Sequence, residues 1–159
     1  YCDDGAGEKA DFIHLVEYKG IQYITMIHVK AAKSNSKLRK ISVGAHDVVL
    51  NQGVKNLRYC NRKTLATALQ ERVENSNKKQ CWENGILTSP NEFIKKLNTL
   101  KDNNKTRSRV VVIQPHTLKS VYSSINNSKI KKQLSVLLVS AENAVRSSGA
   151  EFHIVGYLD

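Results

Sequence analysis

The sequence predicts an α/β fold: a mixed central sheet with an N-terminal antiparallel hairpin and helices on both faces. Three observations predict it. Two apolar runs, residues 10–18 and 21–32, flank Lys19-Gly20, a two-residue turn suited to a tight hairpin. The stretch Val110-Val111-Val112-Ile113 has the continuous apolar character of a buried strand. The last two strands alternate with helical segments, which implies parallel, right-handed crossovers.

Taken in order, residues 1–4 read as the end of an earlier strand, and Gly5-Ala6-Gly7 as the turn that feeds residues 10–18. Both faces of the hairpin are mostly apolar, so its strands are expected to be central and covered on both sides. A basic polar loop follows over residues 33–40. Ser42 is suited to cap a helix over residues 43–59, where Val43, Leu50, Val54 and Leu57 recur at helical spacing. A second helix is expected over 63–74 and a polar loop over 75–79. An irregular crossing is anchored by Trp82, Ile86 and Leu87. Ser89-Pro90 opens a third helix over 90–101, with serine as cap and proline at the first helical position. The helical stretch 63–101 reads as an insertion within one domain. A strand over 109–114 follows a charged loop. A short helix is expected over 117–125, a long one over 129–147 ended by Gly149, and a final strand over 150–156.

Composition bounds the function. The chain has 159 residues, enough for one domain with a sizeable core. It carries 25 Lys and Arg against 14 Asp and Glu, a formal net charge of +11, which directs attention to anionic partners such as nucleic acid. No apolar run is long enough to span a bilayer, so no membrane partner is expected. Cys2, Cys60 and Cys81 are odd in number, far apart and without zinc-ligand spacing, as in reduced thiols of a cytoplasmic protein. No nucleophile elbow, phosphate-binding glycine loop or HExxH zinc motif is present. Aromatic residues make up 6%, too few for a base-stacking platform.

The chemistry concentrates at the open end of the hairpin. Pairing Tyr18 with Ile21 puts Asp11 directly opposite His28, and Lys30 two residues further along the same face. Opposed Cβ atoms in such a pair lie roughly 5 Å apart and diagonal ones about 7–8 Å. A carboxylate, an imidazole and an ammonium thus converge, groups of the kind that metal-dependent phosphodiester cleavage uses. An Asp–Lys ion pair at a sheet edge is the plainer alternative.

This arrangement resembles the PD-(D/E)xK nuclease superfamily, whose members share a restriction-endonuclease-like fold. In that family an Asp begins the second core strand and a (D/E)xK tripeptide lies on the third. Asp11 in Ala10-Asp11-Phe12-Ile13 takes the first position and His28-Val29-Lys30 the place of the tripeptide. The segment Asp3-Asp4-Gly5-Ala6-Gly7-Glu8-Lys9-Ala10-Asp11, followed by Ile27-His28-Val29-Lys30, is also similar to nuclease domains attached to bacterial helicase-like and phage-defence proteins. The resemblance implies an endonuclease that hydrolyses nucleic acid, DNA above RNA, with Mg2+ or Mn2+. Asp11 would hold the cation, the Val29 carbonyl would complete its shell, and Lys30 would orient water or neutralise charge. It also implies a homodimer where both strands are cut, and a helicase or NTPase domain in the same longer protein.

His28 departs from the family pattern, which has an acid there. Three readings stay open: a ligand for a softer ion such as Mn2+, with Glu8 or Asp4 supplying the missing carboxylate; a group that orients Asp11 or acts as a base; or a degenerate, inactive site. Glu8 is the best second carboxylate, because it lies three residues before Asp11 at the same end of the hairpin. Gln52 on the first long helix, with Lys55, loosely matches relatives that set a Gln or Lys against the site; an exposed glutamine is the plainer reading. Lys33, Lys37, Arg39 and Lys40 follow the site directly and are placed to grip phosphates without reading sequence. Gln114-Pro115-His116 ends a buried strand, and His116 is expected to cap the next helix. The rival classes are a nucleic-acid-binding module without chemistry and a scaffold whose charge serves solubility.

Overall fold

The computed structural model describes residues 1–30, 40–75, 79–126 and 128–157, with His116 and Ser128 described by their backbone alone. Its first element is the expected hairpin, β1 (Phe12–Tyr18) and β2 (Ile21–Val29). Lys19 (φ 51°) and Gly20 (φ 73°) both take left-handed conformations, the geometry that matches a two-residue turn to the twist of its strands. Tyr18 pairs with Ile21 and Phe12 with Ile27. Continued by one residue, that register sets Asp11 opposite His28. The second strand stops at Val29, short of the expected 32, and residues 31–39 lie outside the described residues.

Helix α1 (Val43–Lys55) is capped by Ser42, whose side chain accepts the N–H of Ala45. It ends four residues before the expected boundary, and a 3-10 turn over Leu57–Cys60 continues from it. The tighter turn buries Tyr59 and Cys60. Helix α2 (Arg62–Glu74) starts at Asn61, whose side chain accepts from the N–H groups of Lys63 and Thr64. Trp82, Ile86 and Leu87 belong to a second hairpin, β3 (Cys81–Glu83) with β4 (Ile86–Thr88), rather than to an irregular crossing. Its turn residues Asn84 and Gly85 both have positive φ, the Asn-Gly signature of a tight hairpin. Lys96 on α3 (Pro90–Leu100) is ion-paired with Glu83 and ties this hairpin down.

Strand β5 (Thr106–Leu118) is longer than expected at both ends. Pro115 does not end it. The ladder to β6 (Glu151–Tyr157) shifts register between Ile113 and Leu118, so Thr117 and Leu118 stay in the strand and α4 begins only at Lys119 (Lys119–Ser124). Helix α5 spans Ser128–Ser147.

The central sheet has strand order β1-β2-β5-β6, antiparallel at β1–β2 and parallel at β2–β5 and β5–β6. Cys2 adds one antiparallel bridge to Phe12 outside β1. The fold is therefore α/β, with a mixed sheet and an N-terminal antiparallel hairpin. Ile13, Ile24, Met26 and Val110 line one sheet face and pack with Leu65, Leu69, Phe93, Ile94 and Leu97 of α2 and α3. On that face Val112 packs with Val49, Leu50 and Ala141 of α1 and α5. The expectation that both faces of the hairpin are covered is not met on β1. Phe12, Val16 and Tyr18 point the other way and are 42%, 37% and 60% exposed. Next to the sheet's edge, apolar content overstates cover. No helix among the described residues is long and apolar enough to cross a membrane.

Candidate metal and catalytic site

Asp11 sits just before β1, and its placement follows from the hairpin register. Its Oδ2 accepts the Val29 N–H at 2.7 Å, so the strand opposite holds the carboxylate by one oxygen. The chain reaches Asp11 through a looped approach. Gly5 (φ 117°) and Gly7 (φ 75°) turn it in conformations that side chains disfavour. The Glu8 N–H donates to the Gly5 carbonyl, and Glu8 Oε2 accepts the Gly5 N–H, each at 3.0 Å. The Asp3 N–H donates to the Asp11 carbonyl at 3.0 Å.

This turn brings Asp4, Glu8 and Asp11 together. One carboxylate oxygen from each lies within 4.8 Å of the other two. Asp4 is exposed, and Glu8 and Asp11 are half-buried. Glu8 thus stands where the sequence places it, and Asp4 joins it. Hard divalent cations such as Mg2+ and Mn2+ take oxygen ligands of this kind.

His28 is not part of that group. Its ring is 1% exposed, and neither nitrogen has a hydrogen-bond partner among the described residues. Burial pulls its pKa down from 6.5, and the nearby Asp11 charge only partly opposes this, so the imidazole is neutral at neutral pH. Gly53 of α1 lies over the ring, where a Cβ would stand 3.7 Å from His28 Cδ2, an ordinary contact. Gln52, next to it, is half-buried, and its side-chain oxygen has no partner among the described residues, unlike an ordinary exposed glutamine.

Lys30 follows β2 with its side chain exposed, and its N–H donates to the Ile113 carbonyl at 3.1 Å. The middle of β5 therefore supports the backbone of the tripeptide. Val29 is half-buried, and its N–H is already engaged by Asp11. Lys40 and Lys55 are exposed. Lys33, Lys37 and Arg39 lie outside the described residues, as does the side chain of His116.

Three further groups lie beside the site. Lys9 Nζ donates to the Gly7 carbonyl at 2.8 Å and stands 5.1 Å from the centre of the Tyr59 ring. Arg58 lies over the same ring at 4.7 Å and donates to the Tyr59 hydroxyl. Gln114, one residue past the Ile113 that supports Lys30, is 3% exposed, and its amide nitrogen has no partner among the described residues. A buried glutamine within a strand is the kind of clue that the alternation of β5 offers. The contacts of Lys9 and Arg58 depend on a 3-10 turn at Leu57–Cys60, where helical spacing predicts a continued α-helix.

Comparison of the chain with known protein families, with curated proteins and with solved structures finds no match.

Proposed function

We propose that this chain is a metal-dependent nuclease domain that hydrolyses phosphodiester bonds of nucleic acid, DNA above RNA. The observation that carries the reading is the meeting of Asp4, Glu8 and Asp11 at the hairpin end that bears Lys30. The formal charge of +11 supplies attraction for a polyanion. Asp11 is committed to Val29 through Oδ2, which leaves Oδ1 for a cation. Glu8 and Asp4 supply the carboxylates that His28 does not. The residues present fit Mg2+ or Mn2+, and the Val29 carbonyl is the remaining candidate ligand. When bound, such an ion would polarise the phosphoryl oxygen and lower the pKa of attacking water.

The chain's own residues have distinct roles in this reading. Lys30, exposed on the Asp11 face, neutralises charge on the phosphoryl group or orients the water. Neutral His28 lies close to Asp11 without spending a proton on it, and keeps the carboxylate's inner side dry. Lys55, Lys40 and the basic residues 33, 37 and 39 hold the phosphate backbone. Two copies of the domain would serve cleavage of both strands, and a helicase or NTPase domain in the same protein would deliver the substrate.

The test is cleavage of plasmid and single-stranded DNA with Mg2+, Mn2+ or EDTA, comparing wild type, Asp11→Ala and Lys30→Ala. Cutting that needs metal and falls by about a hundredfold or more in both folded variants supports the reading. Salt-sensitive binding without cutting under any metal would make the fold a binding module. Cutting that survives both substitutions would overturn the site.

A further inference from the structure

The loop that carries two of the three carboxylates is gripped by two cations from a distant part of the chain. Asp3, at the loop's start, is fully buried. Its Oδ1 accepts Arg72 Nε, and its Oδ2 accepts the Lys9 N–H at 2.7 Å. Arg72 reaches further. Its Nη2 donates to the Asp3 carbonyl and its Nη1 to the Ala6 carbonyl, each at 3.0 Å. One planar guanidinium therefore spans the loop on both sides of Asp4. Gly7 lies against the same guanidinium, where a Cβ would come within 3.3 Å of Nη1. Lys79 adds a second hold: its Nζ donates to the Asp4 carbonyl at 2.8 Å and to the Asp3 carbonyl at 3.1 Å.

The choice of partners is the informative part. Three carboxylates whose oxygens lie within 4.8 Å repel one another unless something holds or neutralises them. The obvious remedy would be a salt bridge to Asp4, Glu8 or Asp11. Among the described residues no such bridge forms. Both cations instead take backbone carbonyls and the carboxylate of Asp3, which is outside the group. They restrain the loop and lend positive potential while leaving the three ligand carboxylates unpaired. Arginine suits this task because its rigid fork of donors serves three acceptors at once.

We propose that Arg72 and Lys79 are positioning residues that hold residues 3–9 so that Asp4 and Glu8 meet Asp11 around a divalent cation. The proposal rests on the metal-dependent reading above. It makes α2 and the approach to β3 part of the site's support, although they lie far from it in sequence. Groups that orient metal ligands from behind influence affinity by about ten- to a hundredfold.

The test reads metal binding directly, without cleavage. Mn2+ is titrated into wild type, Asp11→Ala, Arg72→Ala, Arg72→Lys and Lys79→Met, with free Mn2+ followed by its electron paramagnetic resonance and the fold by circular dichroism. Wild type is expected to take up Mn2+ and Asp11→Ala to lose it. Arg72→Ala is expected to bind about tenfold more weakly with its fold retained, and added methylguanidinium to restore part of the affinity. Lys79→Met is expected to lose less. Wild-type affinity in folded Arg72→Ala would overturn the positioning role and leave the metal reading standing. Should Arg72→Ala fail to fold, Arg72→Lys decides. It keeps the charge beside Asp3 but cannot serve the Asp3 and Ala6 carbonyls together, so wild-type affinity in it would equally overturn the proposal. Absence of Mn2+ uptake by wild type, or uptake unchanged in Asp11→Ala, would remove the metal reading and this proposal with it.

Discussion

Asp11 does two things at once: its Oδ2 is held by a strand N–H, and its carboxylate lies among those of Asp4 and Glu8. His28 beside it presents the opposite case, a polar ring with no hydrogen-bond partner among the described residues. A buried imidazole in that state resists protonation, and the resistance can be measured. Its pKa is lowered in the folded chain and ordinary in the unfolded one, so below about pH 6.5 the unfolded state binds more protons. Stability is therefore unaffected by this group above that pH and falls as pH drops beneath it. The slope is limited to one proton, at most about 1.4 kcal/mol per pH unit. Urea denaturation between pH 5 and pH 8 should show this acid loss in wild type and a shallower one in His28→Leu. Equal slopes in the two proteins would mean that His28 is not the group being protonated. Asp11 and His28 were legible as a pair because Lys19-Gly20 fixes the hairpin register. The isolation of His28 was not, because it depends on Gly53 and α1 pressing onto the ring.

At the scale of elements, α1 offers a clean contrast between two substitutions. Gly53 sits inside the helix, where glycine costs roughly 0.5–1 kcal/mol relative to alanine. An added Cβ would meet Val110 at 3.5 Å, His28 at 3.7 Å and Val112 at 3.8 Å, all ordinary contacts. Gly53→Ala should therefore stabilise the fold by about 0.5–1 kcal/mol in urea denaturation. Asn61→Ala should do the reverse by about 1 kcal/mol, because two N–H groups at the start of α2 lose their acceptor. A destabilised Gly53→Ala would show that the helix lies closer to the sheet than these contacts allow. Capping and turn chemistry made most elements readable: Ser42, Ser89-Pro90 and Gly149 each stand at an observed boundary. Boundaries failed where tertiary pairing overrode local preference. The β3–β4 hairpin, by contrast, follows the local Asn84-Gly85 turn signal, which the expectation of an irregular crossing does not weigh. β5 runs through Pro115 because β6 picks up its ladder again at Leu118.

Across the whole molecule, the excess of cationic side chains predicts binding governed by counterion release. In EDTA, raising NaCl from about 50 to about 200 mM should weaken DNA binding by tenfold or more, as fluorescence anisotropy would read. Binding that ignores salt would remove the electrostatic account of the partner. Charge is legible in any sequence, but the apolar face of the hairpin that stays open at Phe12, Val16 and Tyr18 was not, since strand composition does not say which neighbour is missing.

The long reach from Asp3 to Arg72 also sets an order of events as the chain emerges from synthesis. The hairpin is local and can close within microseconds. Arg72 follows its partner by 69 residues, and the β5 carbonyl that receives the Lys30 N–H comes later still. Contacts this distant must await loop closure and are made late. A nascent or truncated chain would thus hold Asp11 and Lys30 on a formed hairpin while its acidic loop is still unbraced. On the proposed reading, the capacity to cut would arrive only with the finished fold.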